Sequence, residues 1–145
     1  MSFRAAIIAT AATLALGGCM TVPDSHPLAG TEWQLTAIDT SGSTTSLTPT
    51  LQRRHTLAFN DGGEVQLQLD CNRGRSTWTA GQPSSGAGNI SFGPVAGTRM
   101  ACPAPSFGND LASALEQVQR YITTLDGRQL VLETPALRLT FAAAE

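Results

Sequence analysis

Residues 64–71 alternate without a break. Val65, Leu67, Leu69 and Cys71 fall on one side, and Glu64, Gln66, Gln68 and Asp70 on the other. Successive side chains of a strand point to opposite faces, so this segment reads as a strand with one buried and one wetted face. Such half-wetted strands belong to antiparallel sheets. The same period-two pattern recurs along the chain. It places Trp33, Leu35 and Ala37 together in 31–39, Leu57 and Phe59 in 55–60, Trp78 in 76–80, and Ile90 and Phe92 in 89–92. Near the C-terminus, 129–133 is followed by Leu137, Leu139 and Phe141, which alternate with Arg138 and Thr140. Between these runs lie turn signals: Asn60-Asp61-Gly62-Gly63, the stretch 82–88, Asp126-Gly127 and Thr134-Pro135-Ala136. Residues 41–49, rich in Ser, Thr and Gly, read as a loop.

Only one segment changes period. In 110–123, Leu111, Ala114, Leu115, Val118 and Ile122 form a single helical stripe. Asn109 suits its cap, and Asp110 suits the positive end of its dipole. The expected fold is therefore α+β, with about seven or eight short strands and one helix. One helix covers too little to bury both faces of so many strands. A strongly curved antiparallel sheet or a small β-barrel, with the helix packed on one side or end, meets that constraint.

The first residues describe export. Met1-Ser2-Phe3-Arg4 is a short positive start, and 5–16 carries no charge. That apolar run is about a dozen residues, shorter than the roughly 20 of a transmembrane helix. Leu16-Gly17-Gly18-Cys19 then resembles a bacterial lipobox, with small residues ahead of a lipid-acceptor cysteine. Residues 1–18 are expected to be a lipoprotein signal peptide, 19–27 a lipidated tether with two prolines, and 28–145 the folded domain. Acyl chains on Cys19 would hold the protein firmly to a membrane. Met20, where an Asp would resemble an inner-membrane retention signal, favours the outer membrane, and a position on its periplasmic face is expected.

Composition narrows the partners. The chain is mildly acidic at a net −2, and every one of its nine basic residues is Arg. It has no basic face for nucleic acid, so none is expected. Of three cysteines, Cys19 takes lipid, leaving Cys71 and Cys102. In an oxidising compartment an even pair is expected to form a disulfide. A zinc site competes, but beyond the cysteines only His26 and His55 are available, without close spacing, so no metal is expected.

Four segments together resemble the META domain family, which includes the HslJ-type heat-shock lipoproteins. They are Leu28-Ala29-Gly30-Thr31-Glu32-Trp33-Gln34-Leu35, then Cys71-Asn72-Arg73, then Gly97-Thr98-Arg99-Met100-Ala101-Cys102-Pro103, then the helix with Asp126-Gly127-Arg128-Gln129-Leu130-Val131-Leu132. The chain departs from the pattern at Ser76-Thr77-Trp78, where family members carry a glycine before an aromatic. The resemblance implies a compact α+β domain, usually periplasmic or surface-linked, with no established enzymatic activity and no catalytic residue to carry over. Some members are linked to envelope stress and antibiotic tolerance.

A catalytic set is not apparent. A Ser–His–Asp triad would have to use His55, and no serine sits in a nucleophile elbow. His55 reads instead as a surface residue at a strand start. Asp61 and Glu64 read as turn and solvated-face residues rather than paired carboxylates. Asn72 reads as a turn residue bonded to nearby backbone. Arg73, Arg75 and Arg99 are the candidate anion or partner site, although Arg99 pairing with Asp70 or a backbone carbonyl, to satisfy a partly buried charge, is the better account. The expected function is a non-enzymatic outer-membrane lipoprotein, without cofactor, that supports envelope integrity or stress tolerance by binding an envelope protein or ligand. The alternatives are an anchored inhibitor of a secreted hydrolase, acting through 41–49 or 82–88, and a small-ligand carrier.

Overall fold

The computed structural model describes residues 25–145. The signal-peptide and lipidation readings, on residues 1–18 and Cys19, lie outside the described residues. The elements in order are β1 (Glu32–Thr40), β2 (Ser43–Ser46), α1 (Pro49–Gln52), β3 (His55–Phe59), β4 (Glu64–Leu69), β5 (Asn72–Ala80) and β6 (Ala87–Phe92). They continue with β7 (Ala96–Gly97), α2 (Gly108–Leu115), β8 (Arg120–Thr123), β9 (Gln129–Glu133) and β10 (Leu137–Ala143).

Eight strands close an antiparallel barrel in the order β1–β3–β4–β5–β6–β8–β9–β10, with β10 pairing back onto β1. The expected curved sheet is thus a complete barrel. β2 and β7 are extra strands. β2 pairs with the second half of β1, while the first half of the same edge pairs with β3. β7 pairs with Gly74 and Arg75 of β5. Closure removes the exposed edges that an open sheet of this size would carry. The interior is filled by Leu35, Leu57, Phe59, Val65, Leu130, Leu132, Leu139 and Phe141, each at most 1% exposed. Eight strands leave an interior that side chains can fill, as they do here.

α2 packs on the end of the barrel through Leu111, Ala114 and Leu115. Its start lies against the end of β4. A Cβ on Gly108 would stand 2.4 Å from the Leu69 carbonyl oxygen, so only glycine permits that approach.

The structure corrects several local readings. The helix ends at Leu115, not at 123, because 120–123 is β8 and Tyr121 is its buried residue. Val118 and Ile122 fit a helical stripe by spacing, but Tyr121-Ile122-Thr123 is aromatic and β-branched, and β6 and β9 both offer it partners. Asn109 is not the cap. Phe107 holds that place, with no side-chain cap bond. β4 ends at Leu69, since Asp70 and Cys71 form the two-residue turn to β5. Asp70 takes a positive φ of 62°, which aspartate tolerates, and Cys71 is half-buried rather than inside. A bulge in β1 between Leu35 and Ala37 ends the alternation begun by Trp33. The segment expected as a loop at 41–49 contains β2 and the first residue of α1.

Candidate functional site

The barrel has two ends. One carries the Asp70–Cys71 turn, α2 and the segment 94–107, which crosses from β6 to α2 as a strap. At that end Cys71 and Cys102 form a disulfide with their Cα atoms 5.7 Å apart. That separation is within the usual range for such a bond.

Asn72 holds the same strap without covalent chemistry. It opens β5, is 5% exposed, and its side chain reaches Met100 rather than local backbone. Its amide donates to the Met100 carbonyl at 3.0 Å, and its Oδ1 accepts from the Met100 N–H at 2.7 Å. One side chain thereby copies the paired donor and acceptor of a strand backbone. Oδ1 also accepts from the Thr98 hydroxyl at 3.0 Å. Thr98 in turn donates its N–H to the Arg73 carbonyl and accepts from the Arg73 N–H. The reading of Asn72 as a locally bonded turn residue is overturned. Its partner lies 28 positions away, which no local pattern signals.

Between the strap and α2 lies a cleft of about 540 Å³, with Leu69, Arg99, Met100, Asn109, Ser113 and Glu116 among its lining. Glu116 accepts from the Val95 N–H at 2.9 Å, tying the strap to the end of the helix. Met100 is 60% exposed. The cleft thus offers an apolar residue, a cation and amide and hydroxyl groups on a backbone held by side-chain bonds and a disulfide.

The three candidate arginines do not form one site. Arg73 and Arg75 point outward from β5 into a shallow groove with Glu64, Gln66 and Thr98, whereas Arg99 lines the cleft. Gly97 and Thr98 border both. Nor does Arg99 pair with Asp70. That buried carboxylate faces Arg54, from the link between α1 and β3, and its N–H donates to the Arg54 carbonyl at 2.7 Å. Neither oxygen has a further hydrogen bond among the described residues, so the ion pair alone offsets its burial.

His55 is fully buried, not a surface residue. Nδ1 donates to the Leu51 carbonyl at 2.7 Å and Nε2 accepts from the Phe107 N–H at 3.1 Å. A carbonyl only accepts and an amide only donates, so both ring nitrogens are committed in one neutral tautomer. His55 pins the start of α2 to α1 and has no proton or lone pair left for catalysis. Asp61 is exposed in the β3–β4 turn, and Glu64 lies opposite Thr77 on β4. Among the described residues no group of three or more His, Cys, Asp or Glu is placed to hold a metal.

The other end of the barrel receives the chain from its N-terminus. His26, assigned to the tether by sequence, packs edge-on against Trp78 and Tyr121, with ring centroids 5.4 Å apart in each case. Its Nδ1 accepts from the Leu28 N–H, so Nε2 carries the proton toward the Gly81 carbonyl at 2.9 Å. Tyr121 donates to the same carbonyl, and burial pushes its phenol above the ordinary value. These contacts fix where the tether joins the barrel.

A family model of the META domain matches residues 26–145. No functionally curated protein matches the sequence. Among solved structures, a protein from Burkholderia xenovorans determined by NMR is similar at a TM-score of 0.62 and 24% identity, over 95% of this chain and 99% of that one. The crystal structure of a DUF4847 family protein from Bacteroides vulgatus is similar at a TM-score of 0.52 and 16% identity, over 80% of this chain and 94% of that one. At these identities both likenesses concern the fold.

Proposed function

The chain belongs to the META domain family, and from that premise we propose that it is a non-enzymatic lipoprotein of the outer membrane, facing the periplasm. It supports envelope integrity by holding an envelope protein at the strap end of its barrel. The observation that carries this reading is the doubly fastened strap: a disulfide at Cys102 and the Asn72 clamp at Met100 hold an exposed segment in one shape. A binding surface fixed before its partner arrives loses little conformational entropy on association. Disulfides persist in oxidising compartments, which agrees with the export signal and the lipid-acceptor Cys19.

The two alternatives have less support. A carrier needs interior space, and the barrel interior is occupied by its own leucines and phenylalanines. An inhibitor needs a free loop. Residues 41–49 are largely taken up by β2 and α1, and 82–88 sits beside the tether.

Complementation tests the proposal. Cells lacking the protein should take up an excluded dye more readily, and wild type should restore the barrier. Cys19→Ser and Met100→Asp should each fail to restore it, although Met100→Asp should fold, since Met100 is exposed. Full rescue by Cys19→Ser would refute the need for an anchor. Full rescue by Met100→Asp would refute the strap as the binding surface.

A further inference from the structure

Leu125 is fully exposed, and among the described residues the only other exposed large apolar side chain, Met100, is partly covered. It occupies the tip of the turn between β8 and β9. That turn is built by its neighbours. The Gly127 N–H donates to the Thr124 carbonyl, and Gly127 takes a φ of 67°. The Asp126 carboxylate accepts from the Thr124 hydroxyl at 2.6 Å and from the Arg128 N–H at 3.0 Å. The Gln129 N–H donates to the Thr124 hydroxyl at 3.1 Å. None of these bonds involves Leu125, so a stiff turn holds an apolar side chain out in the open.

The location of the turn gives that leucine a partner. Thr123, two positions before it, donates its N–H and hydroxyl to the Gly86 carbonyl. Gly86 closes the 81–87 hairpin, whose Gly81 carbonyl accepts from His26. Leu125 and the start of the folded domain are therefore at the same end of the barrel. The C-terminal strand also finishes there, with the Ala143 N–H donating to the Arg128 carbonyl and the Ala144 N–H to the Glu32 carbonyl. Cys19 lies six positions before Ser25, and an extended chain of that length reaches at most about 20 Å. The strap end lies at the other end of β5, a strand of nine residues that spans roughly 26 Å.

Resting on the lipoprotein reading, we infer that the barrel stands on the bilayer that holds its acyl chains, with Leu125 inserted among the lipids and the strap cleft turned away. The anchor keeps this end at the bilayer continuously, so one side chain acts at high effective concentration and need only orient the barrel. The contact is apolar rather than electrostatic. Besides His26, the ionisable groups at this end are Glu32, Asp61, Glu64, Asp126 and Glu145 against Arg128, an acidic balance that anionic lipid would not attract. Turning the strap outward leaves Arg99 and Met100 open to a partner in the periplasm.

The test uses the mature lipidated protein in phosphatidylcholine vesicles that contain a nitroxide-labelled lipid as quencher. A fluorophore is attached at Leu125→Cys, or at Ala136→Cys in the exposed β9–β10 turn at the strap end. The native cysteines are in lipid or disulfide, so the introduced thiol is the only free one. The fluorophore at 125 should be quenched several-fold more than that at 136. With the probe at Gln82→Cys instead, adding Leu125→Glu should reduce its quenching, while an unchanged melting temperature shows the fold intact. Equal quenching at 125 and 136 in protein that floats with the vesicles would overturn the inference and leave the anchor standing. So would quenching at 82 unaffected by Leu125→Glu. Protein that does not float would overturn the anchor, and this orientation with it.

Discussion

Replacing Asn72 with alanine isolates the clamp on the strap. The substitution deletes the donor to the Met100 carbonyl and the acceptor shared by the Met100 N–H and the Thr98 hydroxyl. Three hydrogen bonds at about 0.5–1.5 kcal/mol each give a first figure of roughly 1.5–4.5 kcal/mol. Met100 is 60% exposed, so its freed backbone groups regain water, and the cost falls in the lower half of that range. The void where the buried amide sat acts in the opposite direction, so about 2–3 kcal/mol is expected. Urea unfolding measures this, and hydrogen exchange locates it, because the Met100 and Thr98 amides should lose protection first. The disulfide fastens the same strap, so reduction and Asn72→Ala should couple in a double-mutant cycle rather than add. An unchanged midpoint with unchanged Met100 protection would refute the clamp. Strict additivity with reduction would refute the claim that both fasten one element.

Trp33 is 3% exposed and donates its indole N–H to the Thr31 hydroxyl, so Trp33→Ala should destabilise by about 3–5 kcal/mol in thermal melts; an unchanged melting temperature would mean that it is not part of the core. Burial raises the Tyr121 phenol, so the folded chain keeps that proton longer than the unfolded one. The resulting stability is fully present below the unfolded value of about 10 and is lost as pH rises from there through the raised folded value. Tyr121→Phe should therefore flatten the alkaline limb of the stability curve, and an equally steep fall in the variant would refute the assignment.

The barrel was legible because its strands declare one face each. Val65, Leu67 and Leu69 are buried as their alternation requires, as are Ile90 with Phe92 and Leu139 with Phe141. What stayed hidden depended on pairing across long separations. Tyr121-Ile122-Thr123 satisfies a helical stripe by spacing alone, and only the edges of β6 and β9 decide that it is a strand. The turn at Asp70–Cys71 has no mark in the sequence, because both residues continue the alternation of β4. The disulfide is accessible from an even pair of cysteines in a chain expected to be exported, requiring no geometry. The Asn72 clamp and the Arg54–Asp70 pair have no such signature, since each joins side chains to distant segments without altering local periodicity. The candidate arginines are near one another in sequence, but Gly97 and Thr98 separate Arg99 from Arg73 and Arg75 in space.

The two fastenings of the strap couple in the native state, but only the disulfide also acts on the unfolded chain, which explains why one does not replace the other. The disulfide joins positions 31 apart. In the chain-entropy account it stabilises chiefly by restricting the unfolded chain, by about 3–4 kcal/mol for a loop of that size. In the folded state its own hold on the strap is at Cys102. Asn72 has no such hold on the unfolded chain, but in the native state it fixes Met100 and Thr98 directly, next to the exposed side chains of the cleft. A surface that binds by being held in one shape depends on the second effect. Reduction should therefore lower global stability more than it loosens the cleft, whereas loss of Asn72 should loosen the cleft more than its modest stability cost implies.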